Sequence, residues 1–97
     1  MIHHIVLFRF KPGTTPAQIA AAGQALLGMR AGIPYLRSGV WGPNLARGAG
    51  DFTHVWLAEL DDMDAVNRYS DDPVHVAVVR DALEPIREAR LVVDVEV

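Results

Sequence analysis

Three of the four histidines in this 97-residue chain, His4, His54 and His75, fall where strand or helix periodicity turns them toward the apolar side. An imidazole in such a place must find a hydrogen-bond partner or stay neutral, and its ordinary pKa of about 6.5 suits it to proton transfer near neutral pH. Three of them around one cavity would make a proton-transfer site. His3 points opposite to His4 and belongs to the other face of the same strand. Three imidazoles could also hold zinc, yet no two stand at i, i+4 on one helix to chelate it. Asp61, Asp62 and Asp64 fit a solvated helix start, where the macrodipole favours negative charge, better than a cation site. Neither a metal nor a cofactor is expected.

Composition narrows the function classes further. The absence of cysteine removes thiolate metal sites, disulfides and cysteine nucleophiles, and it suits a reducing compartment. A formal net charge of −3, with acids and arginines mixed along the chain, leaves no basic stripe for phosphates, so no nucleic acid partner is expected. Arg47-Gly48-Ala49-Gly50 lies between two extended runs and opens no helix, which sets it apart from a phosphate loop. Met1-Ile2-His3-His4 carries no basic segment, and Ile5-Val6-Leu7-Phe8 is too short for a signal sequence or a membrane span. A soluble, cytoplasmic protein without membrane association is the expectation. Residues 1–97 are read as one domain, because half that length could not bury a stable core.

The elements that must position the histidines follow from periodicity and turn signals. Residues 2–10 are β-branched and aromatic and stop at Lys11-Pro12-Gly13, which reads as a strand and a turn. Thr15-Pro16-Ala17-Gln18 supplies an N-cap, a proline at the first helical position and a glutamine at N3. Ile19, Ala22, Leu26, Met29 and Ile33 then recur at helical spacing up to Gly32-Ile33-Pro34. Residues 35–43 and 52–60 are extended runs joined by a glycine-bearing loop, 44–51. Asp61-Asp62-Met63-Asp64 and Asp72-Pro73 each open a helical segment, so the second helix is expected in two pieces. Leu91–Val97 alternates and closes the chain as a strand.

The order βαββαβ predicts a ferredoxin-like α+β sandwich, with one antiparallel sheet carrying its helices on one face. Hydrophobic residues make up 51% of the chain, and both faces of the first strand are apolar. An antiparallel sheet open to water would alternate to polar on its outer face, so the face away from the helices is expected to meet a second copy. The predicted assembly is a homodimer whose sheets form a shared α/β barrel.

Ile2-His3-His4-Ile5-Val6-Leu7-Phe8-Arg9-Phe10-Lys11, Val40-Trp41-Gly42-Pro43-Asn44, Phe52-Thr53-His54 and Asp72-Pro73-Val74-His75 come in an order and spacing that resembles the Dabb family of stress-responsive α/β-barrel proteins. The resemblance runs nearly end to end and implies a dimeric α+β barrel. The family includes plant stress proteins, a plant polyketide cyclase and many bacterial members, so it implies no single activity. Carried over from the cyclase branch, the site residues would be His4, His54, His75 and Tyr69. The sequence departs from that branch at Leu26, where a cavity tyrosine would stand, at Phe52, where Tyr is frequent, and at Asp72, where His is frequent.

Such a set could perform proton transfer: a neutral histidine as general base, with the Tyr69 phenol orienting a carbonyl or stabilising an enolate. The pocket would lie between sheet and helices, walled by Val6, Phe8, Leu26, Trp56, Val78, Val79 and Leu83. Two readings follow. One is a cofactor-free cyclase or isomerase acting by histidine acid–base chemistry on a small polyketide-like or lactone substrate. The other is a non-catalytic dimer that binds a small hydrophobic, carbonyl-containing ligand or serves in stress tolerance, its histidines being hydrogen-bonded members of the core.

Overall fold

Nine residues of mostly β-branched and aromatic type, Ile2–Phe10, form strand β1 of the computed structural model, which describes residues 1–97. Helix α1, Pro16–Gly28, starts at the expected capping box: Thr15 Oγ1 accepts from the Gln18 amide, and Gln18 Oε1 accepts from the Thr15 amide. A short 3₁₀ turn, Met29–Ala31, continues it. Strands β2, Ser38–Pro43, and β3, His54–Leu60, form an antiparallel pair. The second helical region is broken as its two aspartates predict. Asp62 caps helix α2, Met63–Asp71, and Asp72 caps helix α3, Pro73–Val78, each through its carboxylate. A single π turn, Val79–Leu83, follows, closed by the Glu84 amide donating to the Val79 carbonyl.

The last strand is longer than its alternation suggests. Strand β4 spans Arg87–Glu96 and starts four residues before Leu91, because Arg87–Arg90 pair with the outer half of β1. These residues carry no β-type sequence signal; the ladder to β1 overrides their propensity. The sheet order is β2-β3-β1-β4, all pairs antiparallel, which is the ferredoxin-like α+β fold.

Register fixes what each face carries. Ile2, His4, Val6 and Phe8 of β1 lie beside Leu60, Ala58, Trp56 and His54 of β3, all on the helix side. Here the core forms, with Ala22 and Leu26 from α1, Met29 from the 3₁₀ turn, Ile33 just beyond it, Val66 and Tyr69 from α2, and Leu83 from the π turn. Gly39 is required by this packing, since a Cβ there would stand 2.3 Å from the Trp56 ring. The opposite face is also apolar and uncovered: Val40, Leu91, Val93 and Val95 are 56%, 50%, 42% and 43% exposed. His3 lies on this second face, 3.9 Å from Glu59. No helix is long and apolar enough to cross a membrane.

Candidate functional site

Between the helix face of the sheet and the segment α2-α3-π turn lies a cavity of about 620 Å³, the size of a drug-like ligand site. Its apolar walls include Val6, Phe8, Leu26, Trp56, Val79 and Leu83. Its polar groups include His4, Tyr69, Ser70 and His75, together with Asp94, Arg87 and Arg90 from β4.

His4 reaches this space because its even position on β1 faces the helices and Asp94 stands directly opposite on β4. The Asp94 carboxylate accepts from His4 Nδ1 at 2.6 Å. With its proton on Nδ1, neutral His4 has a lone pair on Nε2. That nitrogen has no protein partner, and the structure buries no side-chain nitrogen or oxygen unpartnered, so Nε2 borders accessible space.

Helix α3 supplies the second imidazole. His75 Nδ1 donates to the Ser70 carbonyl at 3.1 Å, and since a carbonyl only accepts, neutral His75 also has its lone pair on Nε2. Burial pushes the His75 pKa below the usual imidazole value against the opposing effect of its bond to the Ser70 carbonyl, and the positive charge of Arg90 acts in the same direction as burial.

Tyr69 is in ring contact with both. Its ring lies edge-on to His4 at 5.7 Å and tilted over His75 at 4.3 Å, centroid to centroid. Its buried hydroxyl accepts from Trp56 Nε1 at 3.1 Å, while its own hydrogen has no acceptor in the protein. Burial raises the Tyr69 pKa, so the phenol stays a donor throughout the neutral range.

His54 is not brought into this cavity. It lies on the same sheet face but opposite Phe8, two residues beyond Trp56, with its ring stacked on Trp41 and beside Phe10. Thr53 Oγ1 is 2.9 Å from its Nδ1. The alternation placed it on the correct face; Phe8, Trp41 and Trp56 fill the distance to His4. Val78 likewise packs against the core without lining the cavity. No three histidine, aspartate or glutamate side chains are grouped as a metal ion would require.

Several polar members of the wall carry no signal in the sequence analysis, among them Asp94, Arg87 and Arg90. Asp94 is one of the polar positions in the alternating run Leu91–Val97, and register with His4 would have found it. The arginines belong to the part of β4 that has no strand signature.

A family model of the stress responsive A/B barrel domain matches residues 2–97. The chain belongs to the Dabb family. Among solved structures, this Dabb chain is similar to a dimeric ferredoxin-like protein of unknown function from Thermobifida fusca, at 32% identity and TM-score 0.84, with 99% of this chain and 90% of the other covered. It shares its fold with a protein of Arabidopsis thaliana, at 22% identity and TM-score 0.91 over 100% and 95% of the two chains. A hydroxynitrile lyase from Passiflora edulis has the same fold at 19% identity and TM-score 0.87, covering 99% and 92%. No curated protein sequence matches this Dabb chain.

Proposed function

We propose that this Dabb domain is a cofactor-free acid–base catalyst that moves a proton on a small carbonyl compound, of the polyketide-like or lactone type, within the cavity between its sheet and α2-α3. The observation that carries the reading is the common tautomer of His4 and His75: each has Nδ1 committed to a protein acceptor and Nε2 without a protein partner, and both rings stand against Tyr69. That a hydroxynitrile lyase shares the fold supports acid–base chemistry as something the architecture can host.

The two imidazoles differ in how they take a charge. Asp94 stabilises the imidazolium formed when His4 Nε2 accepts a proton and fixes the ring in the orientation that allows it. Burial and Arg90 disfavour a charge on His75, so it serves as a neutral acceptor for a substrate hydroxyl. His4 then removes a proton from the carbon beside the carbonyl. Tyr69 donates to the carbonyl oxygen, where negative charge develops, and His4 returns the proton once the enolate has isomerised or closed a ring. Leu26 in the wall offers no hydroxyl, which favours an apolar ligand body there.

The second surface of the sheet completes the proposal. A second copy covers Val40, Leu91, Val93 and Val95, giving a homodimeric barrel of one Dabb domain per chain, as the dimeric Thermobifida fusca relative supports.

Deuterium exchange into aryl ketones and δ-lactones, followed by proton NMR in deuterium oxide, tests the chemistry. The wild-type chain should accelerate exchange at the carbon beside the carbonyl, and His4→Gln should lower that rate by roughly 10²-fold or more with the fold intact. Exchange no faster than in buffer across the panel would overturn the catalytic reading.

A further inference from the structure

Three arginines line the cavity, Arg80, Arg87 and Arg90, and the proton-transfer chemistry gives none of them a ligand to hold. In a regular strand, positions 87 and 90 would face opposite sides of the sheet. The register shift between Arg9 and Phe10 changes this: Arg90 pairs with Phe8 and Arg87 with Phe10, so both arginines fall on the helix face and line the cavity.

Neither is paired with a carboxylate, whereas Arg9, Arg37 and Arg80 are bound to Glu88, Asp61 and Asp81. Of the acids in the same wall, Asp94 is engaged by His4, and Glu84 forms no ion pair with either arginine. Arg87 is partly buried and Arg90 lies at the exposed rim of the cavity, and two like charges set side by side favour an anion that joins them. Burial and the neighbouring Arg90 depress the Arg87 pKa, with Glu84 opposing them in part.

From these positions we infer that the cavity takes an organic acid, its carboxylate held by Arg87 and Arg90 and its apolar body extending toward His4. The span supports a ligand of some length. Arg90 and Asp94 are four residues apart on β4, roughly 13 Å at a strand's rise of about 3.3 Å per residue, with Val92 between them. A paired guanidinium site selects a planar carboxylate over a neutral group of the same shape through charge-assisted hydrogen bonds. This inference rests on the cavity being the ligand site, as proposed above, though not on any reaction taking place there.

Titrations of the whole protein with 2-naphthoate and 2-naphthamide, followed by amide NMR shifts and the Trp56 indole signal, separate charge from shape. The acid should bind about tenfold or more tighter than the amide, a preference that falls with added salt. Arg90→Gln and Arg87→Gln should each reduce the preference, leave naphthamide affinity unchanged and retain the wild-type amide spectrum, while Arg47→Gln in the β2-β3 loop has no effect. Equal binding of both probes, or naphthoate affinity unchanged in both cavity variants, would overturn the carboxylate assignment alone. If neither probe shifted the cavity residues, both the assignment and the ligand-site reading beneath it would be wrong.

Discussion

His4 and Asp94 are direct cross-strand partners between β1 and β4, and the 2.6 Å bond between Nδ1 and Oδ1 determines which nitrogen of His4 faces outward. The carboxylate is thus a positioning residue that acts through the imidazole. Asp94→Ala should let the His4 tautomers redistribute, bringing hydrogen onto Nε2, which nitrogen-15 NMR of the imidazole reads directly. A loss of about 1 kcal/mol in stability is expected for a charge-assisted bond that solvent partly reaches. An unchanged proton-free Nε2 in the variant would show that Asp94 does not set the tautomer.

The hydrogen bond from Trp56 to Tyr69 joins β3 to α2 inside the core. Tyr69→Phe keeps the ring and its contacts with both histidines but leaves the buried indole N–H without an acceptor, which costs about 1–3 kcal/mol. Urea denaturation should show that loss, and the deuterium exchange rate should fall with it, since the donor to the carbonyl is gone. Stability equal to wild type would mean that the indole has found another acceptor.

Burial holds His54 and His75 below the ordinary imidazole pKa. In the unfolded chain both take up a proton as pH drops through about 6.5, whereas in the folded chain they resist until lower pH. The unfolded state therefore binds more protons in that window, and stability declines as pH falls below about 6.5. Urea midpoints at about pH 7.5 and pH 5 should differ in this sense, and His54→Gln with His75→Gln should narrow the difference. A difference of undiminished size in the double variant would assign it to carboxylates instead.

Much of the fold was legible because local signals agreed with tertiary demands. Thr15-Pro16-Ala17-Gln18 and Asp72-Pro73 mark the helix starts that the backbone uses, and the alternation of β1 puts His4 with the helices and His3 away from them. The site was legible in part. His4, Tyr69 and His75 converge, but periodicity specifies a face and not a distance along it, and His54 ends beside Trp41. Arg87 and Arg90 were hidden for another reason. Their strand exists only through pairing with β1, and the bulge that turns both inward has no signature in the sequence.

The uncovered sheet face yields the last prediction. Val93 pairs with Ile5 at the centre of that face and is flanked on β4 by Leu91 and Val95, a contiguous apolar surface larger than isolated exposed residues would make. A twofold partner would place the same patch against itself, excluding water from both copies. Sedimentation velocity should therefore give twice the chain mass for the wild type. Val93→Asp sets a charge and its twofold mate into that interface. Because Val93 is already 42% exposed in the single chain, the substitution should leave the fold intact. The variant should sediment as a monomer at concentrations where the wild type is dimeric, with an unchanged far-ultraviolet circular dichroism spectrum. A wild-type monomer would overturn the homodimer, and a Val93→Asp dimer would place the contact elsewhere.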